Sequence, residues 1–266
     1  MSKPYIVLVP GSFGLPVFYA DNVSTLIAKG YYIDVIHMPS IGLSTLQGRP
    51  GPPATMNDDA TFIAEKVERL ADEGKDVVLI GHSYGGVPMT QSVKGLSKEE
   101  RTKQGKAGGL VRMGYLTCLV PEVGKAAKDV LGEAPPEQTI PLSISEDGWM
   151  HHEHPETTAR ITLSSMSVEK GAEWIRKMPK HSAISFVGEL TYPGYKDVPI
   201  SYLLCEDDLC IPRDVQQAGI DVIERASGKK VDVTSIKADH CPNVTAPQAV
   251  VDWVVNVVER ASAGHS

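Results

Sequence analysis

The sequence predicts an α/β protein in which a mostly parallel sheet is flanked by helices. Apolar, strand-like segments alternate with helix-like segments along the chain, which is the pattern of consecutive βαβ units. An apolar run at residues 76–80 leads into Gly81-His82-Ser83-Tyr84-Gly85, and a helix-like segment follows it. Residues 119–195 interrupt the alternation before strand-like segments return. We therefore expect one α/β core that carries an inserted helical cap.

Length and composition fit one large globular domain. The chain has 266 residues, of which 42% are hydrophobic, enough for a full core. The formal net charge of −7 and the absence of a basic cluster argue against a nucleic-acid partner or an anionic membrane surface. No apolar run reaches the length of a membrane span. Residues 1–4 lead directly into a strand-like segment without a signal-peptide cleavage site, so we expect a cytoplasmic protein.

The first part of the core is predicted to alternate four strands with three helices. The strands are expected at 5–10, 31–37, 76–80 and 110–117. The helices are expected at 17–29, from Asn57 as N-cap to Glu73, and from Gly86 to about 95. The Pro/Gly-rich segment 38–55 is expected to be a long loop, and the polar segment 97–109 a mobile surface connection.

The chain is expected to divide into residues 1–118 (core), 119–195 (cap) and 196–266 (core). The cap contains a proline-rich stretch at 133–141 and helix-like pieces around 155–165 and 168–177. The core resumes with strands at 198–205 and 231–236 and with helices that start near Pro212 and at 246. The buried stripe of the first of these helices is predicted to be Val215, Ala218, Val222 and Ala226. A cap over the carboxyl ends of the strands would cover the crevice in which ligands bind in this architecture.

Gly81-His82-Ser83-Tyr84-Gly85 has the Gly-x-Ser-x-Gly pattern of a nucleophile turn. A serine on a sharp strand-to-helix turn projects its hydroxyl above the sheet, close to backbone N–H groups that can bind an oxyanion. Glycines are needed because the turn strains the serine backbone and leaves no room for neighbouring side chains. Ser83 is therefore the candidate nucleophile, and the alternative is a tight turn without a catalytic role.

A base and an acid that suit Ser83 follow it in the chain. A serine hydroxyl is a poor nucleophile at neutral pH and needs an adjacent base. His240 follows a strand near the C-terminus, and the acid is expected between Ser83 and His240 in chain order. Asp208 fits because it lies between a strand and a helix, and its neighbour Asp207 is an alternative. The acid would hold the imidazole tautomer and stabilise the imidazolium without taking the proton.

These segments together resemble the α/β-hydrolase superfamily. The resemblance is closest to the small capped branch with plant-type methylesterases, hydroxynitrile lyases and related microbial and fungal esterases. It rests on residues 9–14, residues 81–86, the Asp208-x-x-Ile211-Pro212 spacing and Asp239-His240. It implies the α/β-hydrolase fold and places the acid at Asp208 rather than Asp207. Some members carry the acid after the strand that precedes the cap, where this chain has Glu122.

The resemblance also implies an oxyanion hole in the loop after the first strand. Pro10 stands where the family often has histidine, but the oxyanion hole needs only backbone N–H groups. We expect the amides of Ser12 (or Phe13) and Tyr84 to supply them.

Four residues are candidates for substrate binding, namely Phe13, His82, Trp149 and His181. His82 either packs under the serine turn or shapes the pocket floor, and Trp149 is either a pocket wall or an anchor of the cap. His181 lies at the exit of the cap, where comparable capped enzymes place polar residues against the substrate. The nearby histidines lack a fourth ligand at a recognisable spacing, so no metal site is expected at His151, His152 and His154.

The favoured function is hydrolysis of a carboxylic ester or lactone of a small to medium apolar molecule through an acyl-enzyme on Ser83, with no cofactor. One alternative is lyase, cyclase or isomerase chemistry with the same triad. Hydroxynitrile lyases add a lysine from the cap, for which Lys170, Lys177 and Lys180 are candidates. The other alternative is a small-molecule-binding protein on the same fold. The four cysteines are expected to be free thiols, and the sequence leaves a homodimer open.

Overall fold

The central sheet has the predicted parallel arrangement. The computed structural model describes residues 3–132 and 139–263, so that residues 133–138 of the proline-rich stretch lie outside the described residues. The core strands are β1 (Tyr5–Val9), β2 (Ile33–Val35), β3 (Asp76–His82), β4 (Gly109–Leu116), β8 (Ile200–Cys205) and β9 (Asp232–Ile236). They form one sheet in the order β2-β1-β3-β4-β8-β9, and every neighbouring pair is parallel. This confirms the predicted fold class.

Helices cover both faces of this sheet. They are α1 (Ala20–Ala28), α2 (Met56–Asp72), α3 (Gly86–Ser92), α4 (Lys98–Lys103), α8 (Arg213–Ser227), α9 (Pro242–Thr245) and α10 (Pro247–Ala263). Along β1, Val7 and Val9 pack into the core under α2 and α3, whereas Ile6 and Leu8 pack into the core with α10. Successive strand residues point to opposite faces, so a strand covered on both sides is apolar throughout. Complete burial of one such side chain contributes roughly 1.5–3 kcal/mol.

Two local predictions in the first part of the core are wrong. Helix α2 begins after Thr55 rather than at Asn57, because Thr55 and Asp58 form a capping box in which each side chain accepts from the other residue's backbone N–H. The segment 97–109 is not simply a surface connection, since it contains α4. Arg101 of α4 is buried and donates to the carbonyl oxygens of Ala107 and Gly108, which fixes the segment to the core.

The segment between β4 and β8, which was predicted to be a cap, contains helices and a small antiparallel sheet. Its elements are α5 (Ala127–Leu131), β5 (Leu142–Ile144), β6 (Trp149–His152), α6 (Pro155–Thr162), α7 (Val168–Ile175) and β7 (His181–Ser182). The two helix-like pieces predicted here correspond to α6 and α7, whereas the sheet β5-β6-β7 was not predicted. The division at 119–195 stays a prediction, which this position between two core strands supports.

The exit strand of the cap is fixed to the long loop of the core. Ser182 donates its backbone N–H to the Ser40 carbonyl at 2.8 Å and its hydroxyl to the Ala54 carbonyl at 2.6 Å. His181 forms an antiparallel bridge with Ile41. The predicted cap is thus tied to the loop that follows the carboxyl end of β2. No helix among the residues described is long and apolar enough to cross a membrane.

Candidate active site

Ser83 lies on a strained turn between a strand and a helix. It begins a short 3₁₀ turn between β3 and α3, and its φ is +53°. Its side chain is buried. Gly85 in the same turn could not carry a side chain, because a Cβ there would lie 2.5 Å from the Pro10 carbonyl oxygen. The end of β1 thus passes close beneath the turn, which accounts for the glycine in the motif.

Ser83, His240 and Asp208 form a continuous hydrogen-bonded chain. The Ser83 Oγ lies 2.9 Å from His240 Nε2, and His240 Nδ1 lies 2.7 Å from Asp208 Oδ2. All three side chains are buried. They come from the turn after β3, the loop after β8 and the loop after β9, which meet at the same edge of the parallel sheet. The structure therefore brings together the three residues that the sequence singled out.

The Asp208 carboxylate is held by three donors besides His240. Its Oδ1 accepts the backbone N–H groups of Cys210 and Ile211 at 2.7 and 2.9 Å. Its Oδ2 accepts the Thr117 hydroxyl at 2.6 Å, in addition to the His240 N–H. Charge-assisted hydrogen bonds of this kind fix a carboxylate in both position and rotation. Thr117 was not among the predicted site residues.

The two alternative acids lie elsewhere. Asp207 is exposed, and its backbone N–H donates to the Ala238 carbonyl. Glu122 is also exposed and forms an ion pair with Arg225, with 2.8 Å between the guanidinium nitrogen and the carboxylate oxygen. Neither carboxylate contacts His240.

The surroundings of His240 favour its charged form. Burial alone would lower the pKa of His240, but the charge of Asp208 and the hydrogen bond to it raise this pKa well above its usual value. The loop that carries His240 is itself fixed by the buried Asp239. The Asp239 carboxylate accepts from the Cys241 backbone N–H, the Thr245 hydroxyl and the Ser165 backbone N–H in the cap. Asp239 therefore anchors the loop.

Residues 11–13, which we call the 11–13 loop, pass directly beside Ser83. The Gly11 N–H donates to the Tyr19 hydroxyl oxygen at 3.1 Å, and the Phe13 N–H donates to His181 Nδ1 at 3.3 Å. The Ser12 N–H between them has no hydrogen-bond acceptor among the residues that the structure describes. Of the two amides predicted as alternatives for an oxyanion hole, only that of Ser12 is therefore free.

Tyr84 presents the second amide predicted for the oxyanion hole. It is the second residue of the 3₁₀ turn, where a backbone N–H has no partner within the helix. Its side chain points away from the catalytic groups and donates its hydroxyl to the buried Asp59 at 2.9 Å. Burial raises the pKa of Asp59 to about 6.

His82 links the 11–13 loop to the loop that carries His240. Its Nε2 lies 2.9 Å from the His240 carbonyl oxygen, and its Nδ1 lies 2.7 Å from the Tyr19 hydroxyl. A carbonyl only accepts, so Nε2 carries the proton and Nδ1 accepts from Tyr19. Burial, together with the nearby His240, lowers the pKa of His82 to about 3. The imidazole is therefore neutral, and the chain of hydrogen bonds runs from Gly11 through Tyr19 and His82 to His240.

Backbone strain is concentrated around these groups. Among the described residues other than glycine, four have positive φ, namely Phe13 at +58°, Leu46 at +56°, Ser83 at +53° and Thr117 at +38°. Phe13 lies in the 11–13 loop, Ser83 lies in the nucleophile turn, and Thr117 donates its hydroxyl to Asp208. Strained residues persist only where their surroundings over-determine them, and they cluster at functional sites.

A cavity of about 880 Å³ opens between core and cap above Ser83. Phe13 and His82, two of the four candidates for substrate binding, line it, and so does His152. The walls are otherwise largely apolar, with side chains that include Phe18, Leu163, Trp174, Ile175, Phe186 and Val244. Among the described residues, no lysine or arginine lines the cavity. Such a volume suits a drug-sized, uncharged ligand.

The structure corrects two of the predicted substrate-binding residues. Neither Trp149 nor His181 lines the cavity. Trp149 packs on the long core loop, where a Cβ added to Gly48 would lie 2.7 Å from the indole, so this side chain anchors the cap. His181 lies behind the cavity wall, fully buried, with its ring 5.3 Å from that of Phe13. Its nitrogens contact protein groups instead of the cavity.

The remaining candidates are readily placed. Lys170, Lys177 and Lys180 are all outside the cavity lining, and Lys177 packs over the Trp174 ring at 5.1 Å. The cysteines are free thiols, and Cys210 and Cys241 line the cavity close to His240. Within the described ranges, no group of three or more His, Cys, Asp or Glu side chains has the arrangement of a metal site.

Comparison with known proteins places this geometry in a family. The chain is 34% identical over 257 residues to "Probable hydrolase R7" of a Phoma species, which covers 97% of this chain and 99% of that protein. Its fold is similar to that of a pyrethroid hydrolase from Sphingobium faniae JZ-2, with a TM-score of 0.71, 18% identity and coverage of 97% and 98% of the two chains. Polyneuridine aldehyde esterase is similarly close, with a TM-score of 0.70, 16% identity and coverage of 96% and 99%. The sequence model of the alpha/beta hydrolase family matches residues 6–253. The chain therefore belongs to the alpha/beta hydrolase family.

Proposed function

We propose that the protein is a serine esterase or lactonase that acts on an uncharged, largely apolar substrate through an acyl-enzyme on Ser83. The observation that carries this proposal is the hydrogen-bonded chain from Ser83 through His240 to Asp208, beside two backbone amides without partners in the part of the chain that the structure describes. This is the constellation that acyl transfer requires, namely a nucleophile, a base, an orienting acid and donors for the oxyanion.

The mechanism follows from the positions of these groups. His240 Nε2 takes the Ser83 proton as Oγ attacks the substrate carbonyl carbon, and the amides of Ser12 and Tyr84 bind the oxyanion. Asp208 stabilises the imidazolium and keeps its proton on Nδ1. The tetrahedral intermediate collapses, the C–O bond to the alcohol breaks, and His240 returns the proton to the alkoxide. Water activated by His240 then cleaves the acyl-enzyme and releases the acid.

The size and polarity of the cavity support the choice of substrate. A largely apolar cavity of about 880 Å³, with no lysine or arginine among its described lining residues, favours neutral esters and disfavours substrates with a carboxylate. The absence of Lys170, Lys177 and Lys180 from the lining removes the support for a hydroxynitrile-lyase-type mechanism. The relatives named hydrolase or esterase agree with hydrolytic chemistry.

The test is turnover of p-nitrophenyl esters of increasing acyl length in H₂¹⁸O. We expect wild-type protein to release p-nitrophenol and to place one ¹⁸O atom in the acid. The Ser83→Ala variant should fold normally and lose turnover, whereas the exposed Ser24→Ala variant should keep it. Full turnover by Ser83→Ala would refute the proposal. Tight retention of an apolar ligand without any turnover by the wild type would instead point to a binding protein.

A further inference from the structure

The backbone amides on both sides of Ser12 are occupied, and each by a different part of the molecule. Tyr19, from the 3₁₀ turn before α1, accepts the Gly11 N–H. His181, from β7 of the cap, accepts the Phe13 N–H. The two acceptors are 162 positions apart in the chain (181 minus 19), yet they hold the two peptide units that flank the Ser12 N–H. The Ser12 N–H lies between them and has no acceptor within residues 3–132 and 139–263.

The protonation of His181 is fixed by its partners. Its Nδ1 accepts from the Phe13 N–H, so in a neutral imidazole the proton is on Nε2. The Nε2 lies 3.0 Å from the Ser185 hydroxyl oxygen, and this hydroxyl donates to the Ser182 carbonyl at 2.8 Å. Burial, with a smaller contribution from His152, lowers the pKa of His181 to about 3, which agrees with a neutral ring. Both ring nitrogens therefore have partners, since Nδ1 accepts from the 11–13 loop and Nε2–H donates to Ser185.

His181 also touches the residue that supplies the other free amide. Its ring packs against that of Tyr84 with 5.0 Å between centroids in an edge-on arrangement. It packs against Phe13, whose φ of +58° is a conformation that a phenylalanine rarely adopts. A hydrogen bond to the Phe13 N–H is a direct way to keep this strained peptide in place.

Tyr19 supports the loop from the opposite side. Its hydroxyl accepts from Gly11 and donates to His82 Nδ1, and His82 Nε2–H donates to the His240 carbonyl. The same hydroxyl thus links the loop beside the nucleophile to the loop that carries the base. Tyr19 is buried, with 2% of its surface exposed, and its hydroxyl has a partner both in the 11–13 loop and in His82.

We propose that His181 of the cap and Tyr19 of the core are positioning residues that hold the 11–13 loop on both sides of Ser12 and so aim the Ser12 N–H at the oxyanion. The cap then contributes to the chemical step itself as well as to the cavity wall. This inference rests on the proposed esterase function. Direct loss of an oxyanion donor costs about 10²–10³-fold in kcat, and a displacement of about 1 Å can cost 10²-fold. We therefore expect a loss of about 10- to 100-fold in kcat when either support is removed.

The test uses three variants of the full-length protein. His181→Leu removes the acceptor and keeps an apolar side chain, whereas His181→Asn restores a carbonyl oxygen near the position of Nδ1. Tyr19→Phe removes only the hydroxyl. With a p-nitrophenyl ester, we expect kcat to fall about 10- to 100-fold in His181→Leu and Tyr19→Phe with KM changed less than threefold. Binding of a matching trifluoromethyl ketone, which forms an oxyanion on the serine, should weaken by the same factor. His181→Asn should recover most of the loss.

Two control variants separate positioning from general loosening. Ser182→Ala removes the hydrogen bond from β7 to the Ala54 carbonyl without touching the 11–13 loop. Tyr192→Phe removes a hydroxyl that donates to Asp197. Both should keep kcat within twofold of the wild type. If Ser182→Ala lowers kcat as much as His181→Leu, the effect is loosening of the cap and the inference is wrong.

The remaining outcomes are also decisive. If His181→Leu does not fold, His181→Asn and Tyr19→Phe still carry the test. Wild-type kcat and unchanged ketone binding in Tyr19→Phe, or in a folded His181→Leu, would overturn the inference while Ser83→Ala stays inactive. Activity in Ser83→Ala would instead refute the proposed function itself.

Discussion

Replacement of Asp208 by asparagine perturbs the site in a way that the structure makes predictable. The Cys210 and Ile211 amides hold Oδ1, so the asparagine carbonyl must occupy that position. The side-chain NH₂ group then replaces Oδ2 and faces His240 Nδ1. Because an NH₂ group cannot accept from Nδ1–H, the neutral imidazole moves its proton to Nε2. A protonated Nε2 cannot take the Ser83 proton.

The expected loss follows from this change of tautomer. In a Ser-His-Asp triad the same substitution lowers kcat by about 10⁴-fold. The stability effect should be smaller, about 1.5–3 kcal/mol for a hydrogen bond to a charged group. Since the Asp208 carboxylate raises the pKa of His240 against the effect of burial, the residual activity should also show its acid limb at a lower pH. Initial rates on a p-nitrophenyl ester between pH 5 and 9, with urea unfolding curves, measure both effects.

The two alternative acids provide matched controls. Asp207→Asn and Glu122→Gln neutralise exposed carboxylates that do not contact His240, so both variants should keep kcat within about twofold of the wild type. A folded Asp208→Asn variant with kcat within about tenfold of the wild type would refute the reasoning. A large loss in Asp207→Asn or Glu122→Gln would move the acid to that position.

Three further predictions follow from contacts around the cavity. Gly11→Ala should lower kcat more than tenfold in ester assays, because the new Cβ would lie 3.1 Å from Ser83 Cβ; an active variant would show that the loop can move. Trp174→Ala should raise KM roughly tenfold for bulky apolar esters but not for acetates, since it removes part of the wall; equal effects on both would contradict this. Urea unfolding should show that His82 and His181 lower the free energy of unfolding below pH 6.5. Between pH 7 and 5, the free energy of unfolding of His181→Asn should fall by ~2 kcal/mol less than that of the wild type.

The sign of the pH effect follows from the two lowered pKa values. Between pH 6.5 and about 3 the unfolded chain protonates His82 and His181 while the folded protein does not, so the free energy of unfolding falls with falling pH. For each histidine, the loss is ~2 kcal/mol at pH 5. Asp59 has the opposite effect on the free energy of unfolding. Because its pKa is raised to about 6 in the folded state, the folded protein binds this proton at a higher pH than the unfolded chain does. An identical pH dependence in the wild type and His181→Asn would contradict the assignment.

The fold was largely predictable because its core strands are buried on both faces. Continuous apolar runs such as that of β1 are typical of parallel strands covered by helices, and they identified the sheet. The exact ends of the helices depended on individual capping residues. Both Thr55 and Asn57 are good N-cap residues, and the choice is decided by the reciprocal bond with Asp58, a Thr-x-x-Asp spacing that is visible in the sequence.

Helix α8 shows where an apolar pattern misleads. Ala218 and Ala226 of the predicted stripe are exposed, and the buried positions are Gln216, Gly219, Ile220 and Ile223. Gln216 is fully buried because its side-chain amide bonds the backbone of both Cys205 and Ile211. A polar side chain that is buried because it binds backbone N–H and C=O groups cannot be recognised from a pattern of apolar residues.

The candidate triad was predictable and its supports were not, for a physical reason. Ser83, Asp208 and His240 each follow a strand, and their order in the chain and the Asp208-x-x-Ile211-Pro212 spacing mark them. Tyr19 and His181 accept hydrogen bonds from backbone amides. Because almost every residue type has such an amide, no sequence motif identifies the side chain that accepts from it. Their roles depend on where the cap and the first turn lie in the folded chain.

The central claim is that Ser83 is the residue to which the acyl group is transferred. Treatment with a fluorophosphonate followed by peptide mass spectrometry tests it most directly. We expect one phosphonyl group per chain, attached to Ser83, with labelling strongly slowed in His240→Ala. An adduct on Cys210 or Cys241, which share the cavity, with Ser83 unmodified, would contradict the account.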